Sequence, residues 1–370
     1  MKFIDLFAGI GGFHLGMEQA GHECVGWVEW DKFARKSYQA IHDVKGVWNA
    51  SDIRTVRSTE IPRADCWCFG FPCQDISVAG KQRGITDGKR SSLFFTVTQL
   101  IRNTPEKDRP SYLFIENVKN LLSINRGFDF LKLQIELDEI GYDVEWDVLD
   151  SAQVVPQHRE RIFIVGHLRG RRTRKVFPII RESGEANKTD KAVIQIGNIS
   201  NSKSFGGNPQ VGRVYGIDGI APTLSTMQGG GQEPKALISK KQFGRLEQQA
   251  INTFNDNKSN ILPGDVIDPY NHRLRKDGKT PTVTTRPEGL KTCILPITTD
   301  FRIRKLTPLE CWRLQGFPDW AFDRAKAAGL SDSQLYKQAG NSVTVPVIKA
   351  ITDRLEVPEC MQPYHSRHVQ

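Results

Sequence analysis

The stretch Phe3-Ile4-Asp5-Leu6-Phe7-Ala8-Gly9-Ile10-Gly11-Gly12 decides the fold of this chain. Its short apolar run, Phe3 to Phe7, reads as a buried strand, and the glycines that follow cannot continue a regular ladder. A helix-like stretch comes next, from about Phe13 to Gln19. The following strand, Val25 to Val28, stops at Glu29-Trp30-Asp31, and a helical segment runs from about Phe33 to Ile41. Further out, strands are predicted at Val47-Trp48, Cys66 to Phe69, Tyr112 to Ile115, Val144 to Leu149 and Arg161 to Val165. Amphipathic stretches near 92–102 and 128–140 lie between them. Strand alternating with helix predicts an α/β architecture, a doubly wound, mainly parallel sheet covered on both faces. Ligands of such sheets sit beyond the carboxyl ends of the strands. Asp5, Glu29, Asp52, Cys73 and Glu116 all fall at or near such ends.

The turn Gly9-x-Gly11-Gly12 is open enough for a nucleotide-like ligand, because glycine permits close approach and positive φ. Glu29 follows about 20 residues later at the end of the second strand, the placement that binds two ribose hydroxyls. The dinucleotide fingerprint requires a third glycine at position 14, where this chain has His14. A nucleoside without a pyrophosphate therefore fits better than NAD, and S-adenosylmethionine is such a compound. Asp52-Ile53, ending the third strand, is then placed to meet the adenine.

Bulk properties narrow the class. The 370 residues suffice for two domains, and 38% hydrophobic with 25% charged content is ordinary for a globular protein. A net charge of +9 points to a polyanionic partner. Seven irregularly spaced cysteines, with neither a secretion signal nor a membrane-length apolar window, fit free thiols in a reducing cytoplasm. Cys66, Cys68 and Cys73 lack the second ligand pair of a zinc site, so no metal is expected.

Gly70-Phe71-Pro72-Cys73-Gln74 sets a thiol on a bend directly after a strand. Together with Asp5 to Gly12, Glu116-Asn117-Val118, Gln157-x-Arg159-x-Arg161, Arg304 to Pro318 and Gln338-Ala339-Gly340-Asn341-Ser342-Val343, it resembles the ordered motifs of the DNA (cytosine-5)-methyltransferase family, of the stand-alone bacterial or phage type. The likeness covers about 1–180 and 300–355. It implies the S-adenosylmethionine-dependent methyltransferase fold with a smaller, loop-rich β target-recognition domain. The expected division is 1–178 for catalysis and cofactor, 179–330 for target recognition, and 331–360 returning to the first domain. The resemblance further implies a monomer acting on double-stranded DNA, for modification or protection of host or phage DNA. Whether a cognate restriction endonuclease accompanies it stays open.

The chemistry explains the residue types. C5 of cytosine becomes nucleophilic once a thiolate adds to C6, and Cys73 is the candidate for that addition. Glu116 is suited to protonate N3 and hold the 4-amino group. Arg159 and Arg161 alternate with Glu160 and are predicted to face one side, one holding the base O2 and the other bracing the catalytic loop. The family's cofactor residues carry over to Phe7, Gly9, Gly11, Gly12, Glu29, Trp30, Asp52, Ile53, Pro72, Leu93 and Asn341.

From Arg169 the character changes. Arg169, Arg171, Arg172, Arg174 and Lys175 read as a phosphate-contacting hinge, and the region beyond is rich in turn residues. Asp218 to Thr226 recurs as Asp277 to Thr285, each copy reading as a hairpin turn that runs into a strand. Arg213 and Arg273 precede the copies, placed for a phosphate or a guanine edge. By resemblance Thr223-Leu224 marks the recognition region, and Gln210 fills the space left by a flipped base. Ser77 and Gln82 lie on a glycine-rich loop after Cys73 that is predicted to close over DNA. Two rivals are an RNA cytosine methyltransferase, disfavoured by the absent Cys-Phe-Thr signature, and a DNA-binding protein with a dead site, disfavoured by intact Cys73, Glu116, Arg159 and Arg161.

Overall fold

The structure, a computed structural model, describes residues 1–71, 92–179, 192–198, 212–216, 219–226, 234–239, 266–268, 273–275 and 301–355. The first stretch forms β1 (Lys2–Leu6), α1 (Gly12–Gln19), β2 (Glu23–Val28), α2 (Lys32–Ile41), β3 (Trp48–Ala50) and β4 (Cys66–Gly70). Then come α3 (Ser92–Asn103), β5 (Tyr112–Val118), α4 (Phe128–Glu139), β6 (Tyr142–Asp150) and β7 (Glu160–Leu168). These seven strands make one sheet in the order β3-β2-β1-β4-β5-β7-β6. β1 to β5 run parallel, and β7 is antiparallel to both β5 and β6. The reversal follows from chain length, since the short connection 151–159 can close a hairpin-like return but not a crossover. Alternation of strand and helix also fails between β3 and β4, where only two single-turn 3₁₀ segments (Ile53–Thr55 and Ser58–Glu60) occur.

The central strands read as continuous apolar runs because both their faces are covered. Successive residues enter opposite cores, as the strand period of two requires. Ile4, Leu6, Phe69, Leu113 and Ile115 pack with Phe94, Val97, Ile101, Leu133 and Leu137 of α3 and α4. Phe3, Cys66, Cys68, Tyr112 and Phe114 pack on the other face with Phe13 and Met17 of α1. The chain moves outward from β1 to β3, then resumes beside β1 with β4. That switch leaves a crevice at the carboxyl ends of β1 and β4, where the glycine turn and Gly70 lie.

Past the sheet, β8 (Gln195–Asn198), β9 (Arg213–Tyr215), β10 (Lys235–Ser239) and β13 (Phe301–Lys305) form a small mixed sheet, with β11 (Val266–Asp268) and β12 (Arg273–Arg275) as a separate antiparallel pair. Four helices follow: α5 (Pro308–Leu314), α6 (Asp319–Ala327), α7 (Asp332–Asn341) and α8 (Val345–Thr352). α8 returns to the sheet, its Val347, Ile348 and Ile351 closing the core over Phe13 and Met17. Cys311, Trp312, Phe317 and Ala321 of 308–321 share another core with Ile10, Leu15 and Ile41. The expected recognition segment 179–330 thus ends in helices that pack with the first domain.

Candidate active site

The turn after β1 opens the site. Phe7 has φ 55 and Gly9 φ 57, so two left-handed residues redirect the chain within three positions. For Phe7 that conformation is costly and marks a functional constraint. A Cβ on Gly9 would meet nothing within 4 Å, whereas one on Gly11 would lie 2.0 Å from His42 Nε2 and one on Gly12 would lie 2.6 Å from Val343 Cγ2. Gly9 therefore faces open space, while Gly11 and Gly12 are glycines because protein atoms already fill their side-chain positions. Glu29 is tied beneath, accepting from Gly9 N at 2.7 Å and Asp31 N at 2.6 Å. Each carboxylate oxygen keeps a lone pair for another donor. Burial raises the Glu29 pKa above its ordinary value, partly offset by these two N–H groups.

Beside it Trp30 is 67% exposed, with the Arg54 guanidinium 4.8 Å above its ring. Arg54 in turn holds Asp52 at 2.7 Å, so both Asp52 oxygens are engaged by a neighbour. Ile53 is buried, and Leu93 lies half-buried at the start of α3. Asn341 is exposed at the last position of α7.

The second group of residues lies where β4, β5 and β7 end. Gly70 pairs with Glu116 across β4 and β5, and a Cβ on Gly70 would sit 3.0 Å from Glu116 Oε2. Glu116 Oε1 lies 3.1 Å from Arg161 Nε in an ion pair, with both side chains mostly buried. A carboxylate and a guanidinium thus stand together at the strand end that leads to Cys73. Cys73 itself, with Pro72, Ser77, Gln82 and Gln210, lies outside the described residues.

Arg159 does something different from its expected role. It is 3% exposed and donates to the carbonyls of Leu224 (3.3 Å), Gly340 (3.2 Å) and Ser342 (2.8 Å). Burial, reinforced by the Arg161 charge, pulls its pKa down to about 9. Arg161 faces Glu116, while Arg159, close enough to feel both charges, turns its guanidinium to the main chain. Arg159 thereby clamps the segment around Leu224 to the α7–α8 turn.

Gln157, whose motif was recognised but whose role was not, extends that clamp. It is fully buried, donates to Pro222 O at 3.1 Å and accepts from Gln315 Nε2 at 3.0 Å. Gln315 accepts from Thr344 Oγ1 at 3.1 Å, which also bonds Ser151 Oγ at 2.8 Å. No apolar period reveals such a chain, and the lone polar residue in Leu314-Gln315-Gly316 was its one sequence signal.

Three expectations for DNA contact change. Leu224 is 2% exposed within the core of Ile10, Trp312 and Ala339, so it anchors its segment and offers no surface to DNA. Thr223 is exposed, its hydroxyl donating to His158 O at 2.6 Å. The described first copy of the repeat, 219–226, forms no strand and meets Gln157 through an isolated bridge at Ala221, whereas the second copy lies outside the described residues. Arg213 opens β9 opposite Asn198, and Arg273 opens β12 opposite Asp268. The run from Arg169 sits at the amino-terminal edge of the sheet, where Arg169 pairs with Asp138 and Asp143 and Arg171 donates to Lys107 O. Glu116 pairs with Phe163, six residues before Arg169, so about 20 Å separates this edge from Glu116.

The fold is shared with solved methyltransferase structures. The crystal structure of S. pombe Dnmt2 methyltransferase superposes with a TM-score of 0.59 at 17% identity, covering 95% of this chain and 96% of that one. The chain belongs to the C-5 cytosine-specific DNA methylase family, whose model matches residues 1–356. It is 30% identical to the orphan methyltransferase M.SPBetaI of Bacillus phage SPbeta, covering 96% of this chain and 97% of the relative. It is 29% identical to the type II methyltransferase M.HhaI of Haemophilus parahaemolyticus, covering 98% and 97%. Among the described residues no helix is long and apolar enough to cross a membrane.

Proposed function

We propose that this DNA cytosine-5 methyltransferase takes its methyl group from S-adenosylmethionine and transfers it to a cytosine flipped out of duplex DNA, through a Cys73 adduct at C6. The observation that carries the reading is the Glu116–Arg161 pair, 3.1 Å apart beside Gly70, the residue three before Cys73. The open Gly9, the Glu29 carboxylate and the exposed Trp30 ring fit an adenosine with a ribose diol and no pyrophosphate. Phe7, Ile53, Leu93 and Asn341 complete that proposed pocket, with Pro72 beyond the described residues. Bound there, S-adenosylmethionine supplies an electrophilic methyl on a sulfonium.

The protein's own groups do the rest. The Cys73 thiolate adds to C6 while Glu116 delivers a proton at N3 and holds the 4-amino group. Arg161 orients that carboxyl and is placed for the base O2. C5, now nucleophilic, would take the methyl as its bond to the cofactor sulfur breaks. Loss of the C5 proton to solvent, return of the N3 proton to Glu116 and expulsion of the thiolate would then restore the aromatic ring. Base flipping is required because C6 is stacked inside a duplex. Residues 1–178 carry this chemistry, the 179–330 segment reads the target, and the C-terminal return buttresses both. Arg213, Thr223 and Arg273 are the described residues proposed for DNA contact. The four described free cysteines fit a reducing cytoplasm.

Bisulfite sequencing of DNA from cells expressing the chain, beside cells expressing Cys73→Ser, tests this reading. Methylated cytosines in a fixed sequence context, absent with Cys73→Ser, are expected. Unchanged methylation by Cys73→Ser would refute the adduct, and label transfer from the cofactor to tRNA but not to duplex DNA would refute the substrate.

A further inference from the structure

Beneath the glycine turn lies a buried set of side chains that the methyl transfer does not use. His42, the residue after α2, is 6% exposed, and its Nε2 is 3.0 Å from the Ile10 carbonyl. A carbonyl can only accept, so His42 carries its proton on Nε2 and donates upward into the turn. Its ring stacks on that of His14 at 3.9 Å and 19°. His14 Nδ1 is 2.7 Å from Tyr38 Oη, and Tyr38 stacks on Trp27 and reaches Asp5 Oδ2 at 3.5 Å.

The fit is mutual. Gly11 has φ 84, and a Cβ there would fall 2.0 Å from His42 Nε2, so the turn can descend onto the imidazole only because residue 11 is glycine. His14, Glu18 and Arg324 are the titratable neighbours that α1 and α6 bring to His42, Arg324 donating to Ile41 O at 2.8 Å. Burial lowers the His42 pKa to about 4 and the His14 pKa to about 2, which keeps both rings neutral near pH 7. Stacked rings also cannot share a metal ion with Glu18, because an ion lies in the plane of each imidazole that binds it.

We propose that His42 is a positioning residue of the cofactor turn: its hydrogen bond to Ile10 sets the height of the Gly9–Gly11 backbone and thereby the affinity for S-adenosylmethionine. The inference rests on the reading of this turn as the S-adenosylmethionine site.

Calorimetric titration of the full chain with S-adenosylmethionine, beside steady-state kinetics on duplex DNA, tests it with His42→Leu and His42→Gln. A buried carbonyl that loses its donor should weaken binding by about tenfold to a hundredfold in His42→Leu. The KM for the cofactor should rise in step, while kcat at saturation stays within about threefold. The glutamine amide can reach the same carbonyl, so His42→Gln should recover affinity to within about threefold. Equal losses in both variants would reduce His42 to a space-filler and overturn the proposal, as would wild-type affinity in His42→Leu. Should the leucine variant fold poorly, His42→Met gives the same comparison. A wild-type chain that binds no S-adenosylmethionine would instead overturn the cofactor reading, and this inference with it.

Discussion

Gly340→Ala is a one-carbon change whose sign helix propensity gets wrong. Gly340 sits inside α7, where alanine is favoured over glycine by about 1 kcal/mol. Its Cβ, however, would lie 2.0 Å from Ser225 O, 2.5 Å from Ser225 C and 2.8 Å from Thr226 Cα, all of them backbone. Reaching even a tight 3.0 Å contact requires about 1 Å of displacement, and no side chain can rotate away to provide it. Overpacking of this kind costs about 1–3 kcal/mol, so after the gain in propensity a net loss of about 0–2 kcal/mol is expected. The functional effect should be larger. The segment that moves runs straight from Thr223 and Leu224 into the recognition region, and a 1 Å misplacement costs about a hundredfold in rate. Melting temperature and kcat/KM on duplex DNA are the readouts. Gly329→Ala is the control: at φ 82, with only the flexible Lys36 Nζ at 3.8 Å, it should cost about 1–2 kcal/mol of stability through backbone strain and leave methylation intact. Wild-type kcat/KM for Gly340→Ala would refute the close approach of α7 and the recognition segment.

The two arginines should separate in the same assays. Arg161→Leu should lower kcat by about 10²–10⁴-fold and cost about 3 kcal/mol of stability, because it leaves the mostly buried Glu116 carboxylate without its partner. Arg159→Met should destabilise the fold by about 2–4 kcal/mol, read from urea unfolding, since three carbonyls lose a donor while the cost of burying a cation is recovered; equal kcat losses for both would contradict the division of labour. Glu29 gives a pH test. Only the ionised carboxylate accepts two hydroxyls, and burial raises its pKa, so cofactor affinity should fall on acidification at a pH above the usual glutamate range. Glu29→Gln should bind weakly with a flat profile there, and an unchanged acid limb would show that another group titrates.

The sheet was legible because β1, β4 and β5 are apolar on both faces, a pattern few other structures require. The catalytic ends were legible because an acid or a glycine lies within two residues of the end of each strand from β1 to β5. What escaped was set by tertiary contacts. His14 reads as a missing third glycine of a nucleotide fingerprint, yet the fold buries it against His42 under the turn. Arg159 and Arg161 obey strand alternation on paper, but Arg161 faces Glu116 while Arg159 turns its guanidinium to the main chain. Leu224 resembles a recognition residue and is an anchor, because its neighbour Thr223 alone reaches the surface. The basic run after β7 shows how charge in the sequence carries no direction: its position follows from the reversal of β7, which sends the chain to the far edge.

The clamp built by Gln157 and Arg159 grips the recognition segment by the oxygens of Pro222 and Leu224, and α7–α8 by those of Gly340 and Ser342. Every group to which these two side chains donate is main chain. The mount therefore resembles a socket that accepts any insert with the right backbone path and the Leu224 anchor, whatever its other side chains. A lineage under pressure to change its target sequence can rewrite the reading surface while the fastening to the catalytic sheet stays the same. Grafting a foreign recognition region should succeed when the junction at 221–226 is kept and fail when the graft replaces it.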